Sequence, residues 1–599
     1  RKSIDLNPNL FNSHFLLGTI LLGQKKLQEA EQHLRKTIEL NPDSHQAHQN
    51  LGAVLKDLGQ IQEAELFIRK AIELNPNLFN SHFLLATILI GQKKIKEAEQ
   101  PLRRTIELKS DFFQAHQNLG AVLKDLGQLQ EAELSTRKAI EIKPDFAEAH
   151  LNLGKIFRDL GKLKDAESSL RKAIEINPEF TEAHSNLGKT LRDLGKLKDA
   201  ELSYQKAIEI KPDYAEAYSN LGNILRDLGK LKEAELSYRK AIEIKPDLAE
   251  AHYNLAGILR DPVKLQEVEL SYRKAIEIKP DFAEAHYNLG NVLTDLGKLK
   301  EAEISYRTAI EIKPDFVVAH YNLGNILIGF GKLQEAELLT RKAIKLNPDF
   351  ADAYSNLGNI LRDLGKLKEA EISYRKAIKI KPDYAEVYSN LGITFKDLGN
   401  LEEAFDSYLK AIDINPKLSN IYPSITRFLK DSDLSKLNKS NLKKILNCLL
   451  ERNDLPHKEL QRAFNFLYSN EIISNLEKLD SDFSQIELLN NDKIIINALK
   501  KIIFCDLKLE KVLTKTRRNI CNRIAKNIET INESVLQFII ALGEQCFFNE
   551  YVYSLTEEEN ISINIILQRC REGEINERNI AILSCYFPLY KLLDQIPSL

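Results

Sequence analysis

Methionine and tryptophan are both missing from the 599 residues. With Arg1 in first place, the lack of methionine leads us to expect a fragment of a longer protein, since a complete translation product starts with one. An excess of either charge is also missing: 84 Lys and Arg face 86 Asp and Glu, for a net charge of −2. That balance argues against nucleic acid as a partner, because such chains carry a basic surplus or stripe. No apolar run approaches the roughly 20 residues that cross a bilayer, so no membrane role is read.

Cysteine is scarce. Its six copies (Cys448, Cys505, Cys521, Cys546, Cys570, Cys585) all fall in the last third, with no C-x-x-C pair. They read as buried free thiols of a reducing, hence cytoplasmic, compartment rather than disulfides or a metal site. "LRDLGKLK" glances at a phosphate loop, but no G-x-x-x-x-G-K-[ST] is present, and no cofactor is expected.

What the sequence does have is a period. Prolines stand at 8, 42, 76, 144, 178, 212, 246, 280, 314, 348, 382 and 416, with Ser110 filling the one gap. A second series, Gly18, Gly52, Ala86, Gly120 and onward to Gly392, keeps the same 34-residue step without an insertion. A fixed period of this length means stacked supersecondary units. Within "AEAHYNLGNVLTDLGKLKEAEISYRTAIEIKPDF" (283–316) there are two apolar stripes of helical spacing. The first holds Ala285, Leu289 and Leu293; the second holds Leu299, Ala302, Tyr306, Ala309 and Ile310. Gly297 supplies the turn, Pro314 stops the second helix, and Asp315 is placed to prepare the next. Neither helix can hide its stripe alone, so each hairpin must stack on its neighbours. Gly290 and Ala302 leave room for two backbones to approach, and Tyr306 fills the space beside Ala309.

The pattern Leu289, Gly290, Ala302, Tyr306, Ala309, Pro314 resembles the tetratricopeptide repeat family, with His or Tyr (His286, Tyr218) where that family usually has Trp. The resemblance implies an all-α fold: a right-handed superhelix of helix-turn-helix units, followed here by a C-terminal all-α domain. Residues 1–10 read as the end of a truncated repeat, 11–418 as twelve units, 419–440 as a linker and 441–599 as the helical domain. Unit eight is irregular, with Pro262, Val263 and Val268 in place of Leu, Gly and Ala, and Pro101 should kink the second helix of unit three.

Asparagine, a poor helix former, recurs two residues before the motif glycine: Asn50, Asn118, Asn152, Asn186, Asn220, Asn254, Asn288, Asn322, Asn356 and Asn390. Leu16 and Leu84 break the series. Three residues on, Asn223, Asn291, Asn325 and Asn359 share the same helical face, and three beyond those stand Arg226 and Arg362, with Arg158, Arg192, Arg260, Lys56, Lys124 and Lys396 at equivalent places. First helices should lie about 8–10 Å apart, so the amides would form a ladder. Each offers donors and an acceptor, which suits the main chain of an extended peptide. The ladder resembles that of O-linked N-acetylglucosamine transferases, and the resemblance implies an inner, concave wall that binds protein or peptide partners. Equally, near-identical units arise by duplication, and Asn can be simply a tolerated residue there.

His recurs in nine units (His14, His48, His82, His116, His150, His184, His252, His286, His320), one repeat apart and so too widely spaced to share a metal. The alternating charges of "LKEAELSYRKAIEIK" read as a solvated outer face. In the last third, Thr556 and Glu559 have the spacing of a capping box. The string Gln545, Cys546, Phe547, Phe548, Asn549, Glu550, Tyr551, Val552 resembles a segment preceding the catalytic domain of bacterial tetratricopeptide methyltransferases that use S-adenosylmethionine. No glycine-rich cofactor loop follows it, so this chain is not expected to be an enzyme by itself. Cys546 and Glu550 share a helical face, but the region's one histidine, His457, is remote in sequence, and core packing is the reading for Cys546. The functional expectation is a peptide-binding recruiting module for a methyltransferase. A glycosyltransferase module and a free-standing adaptor are the alternatives.

Overall fold

The computed structural model describes residues 9–259, 262–478, 483–527, 531–548 and 555–596. Among the described residues there are 34 α-helices, three short 3-10 turns and no strand. Two compact units divide the chain, Arg1–Lys298 and Leu299–Leu599.

The first unit is built of helical hairpins in the 34-residue register. In the seventh, Ala215–Asp227 and Leu231–Ile244 pack through Ala217, Ile224, Ala234, Tyr238 and Ala241, every one of them wholly buried. Gly222 is required by this fit, since a Cβ there would stand 2.6 Å from Cε1 of Tyr238. The turn glycine Gly229 has φ +78°, a left-handed conformation that L side chains resist. Hairpins one and three lack that glycine, and Lys25 and Lys93 adopt the same region at φ 58° and 61°. Among the first helices one side-chain cap of this kind is seen, from Ser44. At unit ten the N-cap position falls on Phe316, which gives no side-chain cap, so Asp315 does not play the part expected of it.

The repeated histidines have a definite structural task. Nε2 of His48, His82, His116, His150, His184, His252 and His286 lies 2.8–3.1 Å from the carbonyl oxygen six residues earlier, that of the inter-repeat proline or, at His116, of Ser110. A carbonyl only accepts, so Nε2 carries the proton and donates. Each ring therefore ties its helix to the loop that precedes it. Pro101 does not interrupt its helix, which runs Ile95–Leu108. Hairpin eight is irregular: its first helix, Ala249–Ile258, has 10 residues where its neighbours have 13, a 3-10 turn follows, and Val268 is buried in the place of alanine. Arg260, Pro8 and the side chain of Pro262 lie outside the described residues.

The second unit begins with the remaining repeats and carries the C-terminal helices on one continuous core, from Leu357 to Ile596. The segment 419–440 is not a bare linker. Residues Ile421–Asp431 form a helix with Ile421, Tyr422, Ile425, Phe428 and Leu429 buried, and Phe428 stacks on Phe405 at 6.0 Å. Tyr422 stands one period beyond Tyr388, and its hydroxyl donates to the Pro416 carbonyl at 2.6 Å, as histidine does in the earlier units. The repeat register thus runs half a unit past the last motif proline. Thr426, wholly buried, has replaced the motif glycine, which hid the continuation.

Farther on, Thr556 and Glu559 form the capping box that opens helix Glu557–Arg571. The Glu559 carboxylate is completely buried and meets Arg517 at 3.1 Å, Arg518 at 2.7 Å and the Tyr586 hydroxyl at 3.0 Å. Burial works to raise its pKa, but the Thr556 amide, both arginines and Tyr586 hold it below the ordinary glutamate value. All six cysteines are free thiols, four buried; Cys505 is exposed and Cys448 half-buried, against the expectation for those two. Asn549, Glu550, Tyr551 and Val552 lie outside the described residues.

Candidate functional site

The ladder asparagines all sit on first helices. Asn186 is buried at 8% exposure, and Asn50, Asn118, Asn152, Asn220, Asn254, Asn288, Asn322, Asn356 and Asn390 are half-buried. Their surroundings are set by which positions of adjacent first helices abut. Nδ2 of Asn390 donates to Oδ1 of Asn359 at 3.1 Å, and Asn356 donates to Asn325 in the same way. Asn50 repeats the contact one array-end away, donating to Oγ1 of Thr19 at 3.2 Å. In every case the partner is 31 residues earlier, at the position just after the previous motif glycine. Unit eight has Gly257 at that position, and there Asn288 turns to the Tyr253 hydroxyl instead, at 3.1 Å. Asn186 bonds within its own helix, to the Glu182 carbonyl at 2.8 Å.

The second row is tied inward. Oδ1 of Asn223 accepts from the Tyr238 hydroxyl at 2.8 Å, and Oδ1 of Asn359 accepts from Tyr374 at 2.7 Å. Burial lifts the pKa of both tyrosines, so each ring stays a neutral donor. Asn291 is half-buried and Asn325 exposed. In the third row Arg226 pairs with its neighbour Asp227 at 3.1 Å, while Arg362 reaches Asp363 only at 3.9 Å. Part of the amide ladder therefore staples one repeat to the next, a role sequence reasoning missed. The signal was available as the fixed 31-residue offset between two polar positions.

The outer face is also more than a solvated surface. In seven second helices a glutamate (Glu65, Glu133, Glu167, Glu235, Glu269, Glu303 or Glu337) accepts from the arginine four residues on and from a lysine 29 residues ahead in the next unit. The cross-unit links include Glu65–Lys94 at 3.0 Å, Glu133–Lys162 at 2.8 Å, Glu167–Lys196 at 2.7 Å and Glu269–Lys298 at 2.8 Å within the first unit, and Glu337–Lys366 at 2.8 Å in the second. These carboxylates are only 10–15% exposed. For Glu65, desolvation pushes the pKa up, yet hydrogen bonds from Arg69, Lys94 and Gln92 hold it at about 2. No helix among the described residues is long and apolar enough to cross a membrane.

Comparison with known proteins matches this architecture repeatedly. The profile described as TPR repeat matches 188–225, 222–259, 270–295, 290–328 and 358–399. Tetratricopeptide repeat profiles match 21–81, 113–146, 147–180, 317–350, 339–372 and 385–418. No curated protein sequence matches the chain. Among solved structures, YrrB, described as a TPR protein with an unusual peptide-binding site, is 28% identical, covering 31% of this chain and 97% of its own, with a TM-score of 0.29. PilF of Pseudomonas aeruginosa is 21% identical over 36% of this chain and 97% of its own, at 0.32. A chain of the APC/C hetero-tetramer Cut9–Hcn1 is 14% identical over 70% and 96%, at 0.35. The profile matches together run through most of residues 21–418, and with the hairpin register they carry the assignment: the chain belongs to the tetratricopeptide repeat family.

Proposed function

We propose that the chain is a protein-interaction scaffold whose first-helix face holds an extended peptide segment by its main chain. The observation that supports this most is the recurrence of an amide at one position in ten of the twelve repeats, nine of these amides being half-buried. Asn390, for example, spends one N–H on Asn359 and keeps its carbonyl and second N–H. A peptide main chain presents the complementary groups at every residue, so such a row grips without reading side chains.

The test uses the full chain and an immobilised array of unstructured 15-residue peptides of varied composition. Replacing Asn220, Asn288, Asn322 and Asn356 together by Ala should weaken capture across the array while helicity by circular dichroism is retained. Undiminished capture would count against the ladder. Recruitment for a methyltransferase is supported by the sequence resemblance at 545–552 alone, and the coding sequence beyond Leu599 tests it: a glycine-rich cofactor domain supports it, whereas a sugar-nucleotide domain or a stop codon refutes it.

A further inference from the structure

We propose that the chain pairs with a second copy of itself through the outer face of repeats four to seven, in the first unit, leucines of each copy entering grooves of the other. None of the ladder asparagines takes part, so this is independent of the peptide-binding reading.

Eight second helices, from Leu66 to Ile372, carry a leucine or isoleucine at one fixed position, 60–70% exposed in every case. Single exposed apolar side chains are ordinary, but one per repeat in constant register makes a patch, and such patches mark contact surfaces. Repeat five differs, with Ser168 at that position. A groove of about 760 Å³ opens there between helices Leu129–Ile142 and Leu163–Ile176, lined among others by Ile140, Leu153, Phe157 and Ser168. The next groove, between Leu163–Ile176 and Leu197–Ile210, has Leu202 on its wall and holds about 390 Å³.

Charges around these two grooves also depart from the pattern. In other repeats the second-helix arginine reaches a glutamate 28 residues ahead, as in Arg35–Glu63 at 2.7 Å, Arg103–Glu131 at 2.8 Å and Arg341–Glu369 at 2.7 Å. Arg137 and Arg171 have Asp165 and Asp199 at that place, one methylene shorter, and pair only with the glutamate of their own helix. Both aspartates are exposed and have no ion pair. The same is true of Lys198 and Lys232, one turn before Leu202 and Leu236.

Holes and knobs therefore sit at opposite ends of one patch, which is what a two-fold contact needs. An axis parallel to the second helices, between repeats five and six, brings Leu236 of the second copy to the larger groove and Leu202 of the second copy to the smaller one. Helices run parallel across such an axis. Lys232 and Lys198 of the second copy then fall beside Asp165 and Asp199, each one turn ahead of its groove. Leucine burial supplies the attraction and the ion pairs fix the register. Four 14-residue second helices, each about 21 Å long and about 10 Å apart, present roughly 800 Å², the share one partner gives to a stable interface. Pairs such as Lys172–Glu175 and Lys206–Glu209 neutralise charges elsewhere on the face, so a polyanion is not drawn to it.

Sedimentation velocity of the full chain from about 1 to 100 μM reads the association, the upper limit covering the weak end for interfaces of this size. We expect a monomer–dimer equilibrium with no larger species. L202D/L236D should weaken it at least about 30-fold, with circular dichroism unchanged because both side chains are exposed. D165K and K232D should each weaken it about 5-fold, and D165K/K232D should return it to within about 2-fold of the parent. A monomer throughout, open-ended oligomers, a dimer indifferent to L202D/L236D, or a double charge swap no tighter than either single change would each overturn the proposal.

Discussion

Asn359 is bonded both to its own hairpin and to the next repeat, and its replacement by Ala gives a sharp test. Its Oδ1 accepts two bonds, from Tyr374 at 2.7 Å and from Asn390 at 3.1 Å. Tyr374 is wholly buried, so loss of the acceptor leaves a phenolic hydroxyl unsatisfied in the hairpin core. An orphaned buried donor costs about 1–3 kcal/mol, and the half-exposed amide contact adds about 0.5 kcal/mol. We expect Asn359→Ala to destabilise its region by about 2–3 kcal/mol. Asn390→Ala forfeits one neutral bond between partly wetted groups and should cost about 0.5–1 kcal/mol.

A double-mutant cycle sharpens this. In Tyr374→Phe the hydroxyl is gone, so Asn359→Ala made in that background should cost about 1–2 kcal/mol less than in the parent. Stability in a repeat array is a sum of local terms, so a single global midpoint is the wrong readout. Amide hydrogen exchange by mass spectrometry over 351–380 and 385–414 reports the local opening energies. Near-additive effects, or a cost for Asn359→Ala below about 0.5 kcal/mol, would refute the claim that the second asparagine row fastens the two helices of a hairpin.

Two further outcomes follow from geometry. Gly222→Ala puts a Cβ at 2.6 Å from the buried Tyr238 ring and should cost about 1–3 kcal/mol by thermal unfolding, with Gly222→Ala/Tyr238→Leu recovering part of it. Glu65 contributes to acid stability: its folded pKa of about 2 lies below the ordinary 4.5, so its stabilisation is present above pH 4.5 and is lost as pH falls from there towards 2. Glu65→Gln should flatten the pH dependence of exchange protection in repeats two and three over that interval. An unchanged slope contradicts the ion-pair clamp.

Much of the hairpin architecture is legible because its markers are local. A glycine at positive φ, a proline after the second helix and two stripes of helical spacing each act within a few residues. What escapes is whatever depends on the stacking of separate units. The Asn356–Asn325 and Asn390–Asn359 contacts join residues 31 apart on different helices, and nothing within one unit reveals which positions abut. The same holds for the Glu65–Lys94 type of clamp, 29 residues apart, whose charges look like ordinary surface when each helix is taken alone. Helix Ile421–Asp431 escaped for another reason: it keeps the buried pattern and the aromatic at Tyr422 but has exchanged the glycine for Thr426, and no proline follows in register. Its membership is visible in the bond from Tyr422 to Pro416, not in the motif.

The stapling bonds bear on how selective the proposed peptide-binding face can be. Asn359 has both lone-pair directions of its carbonyl taken, so it can only donate outward; Asn390 retains its carbonyl and one N–H. The two rows consequently offer different chemistry to a ligand, donors from one and a mixed pair from the other. First helices about 8–10 Å apart correspond to roughly three residues of extended chain at about 3.3 Å each. A bound segment would thus be held at about every third residue, with the side chains between left unread. Preference must then come from wherever the repeats differ, and on the first-helix face that difference is greatest where Lys155 and Lys189 replace the Asn, Thr, Ala, Gly or Ile found after the glycine in the other units.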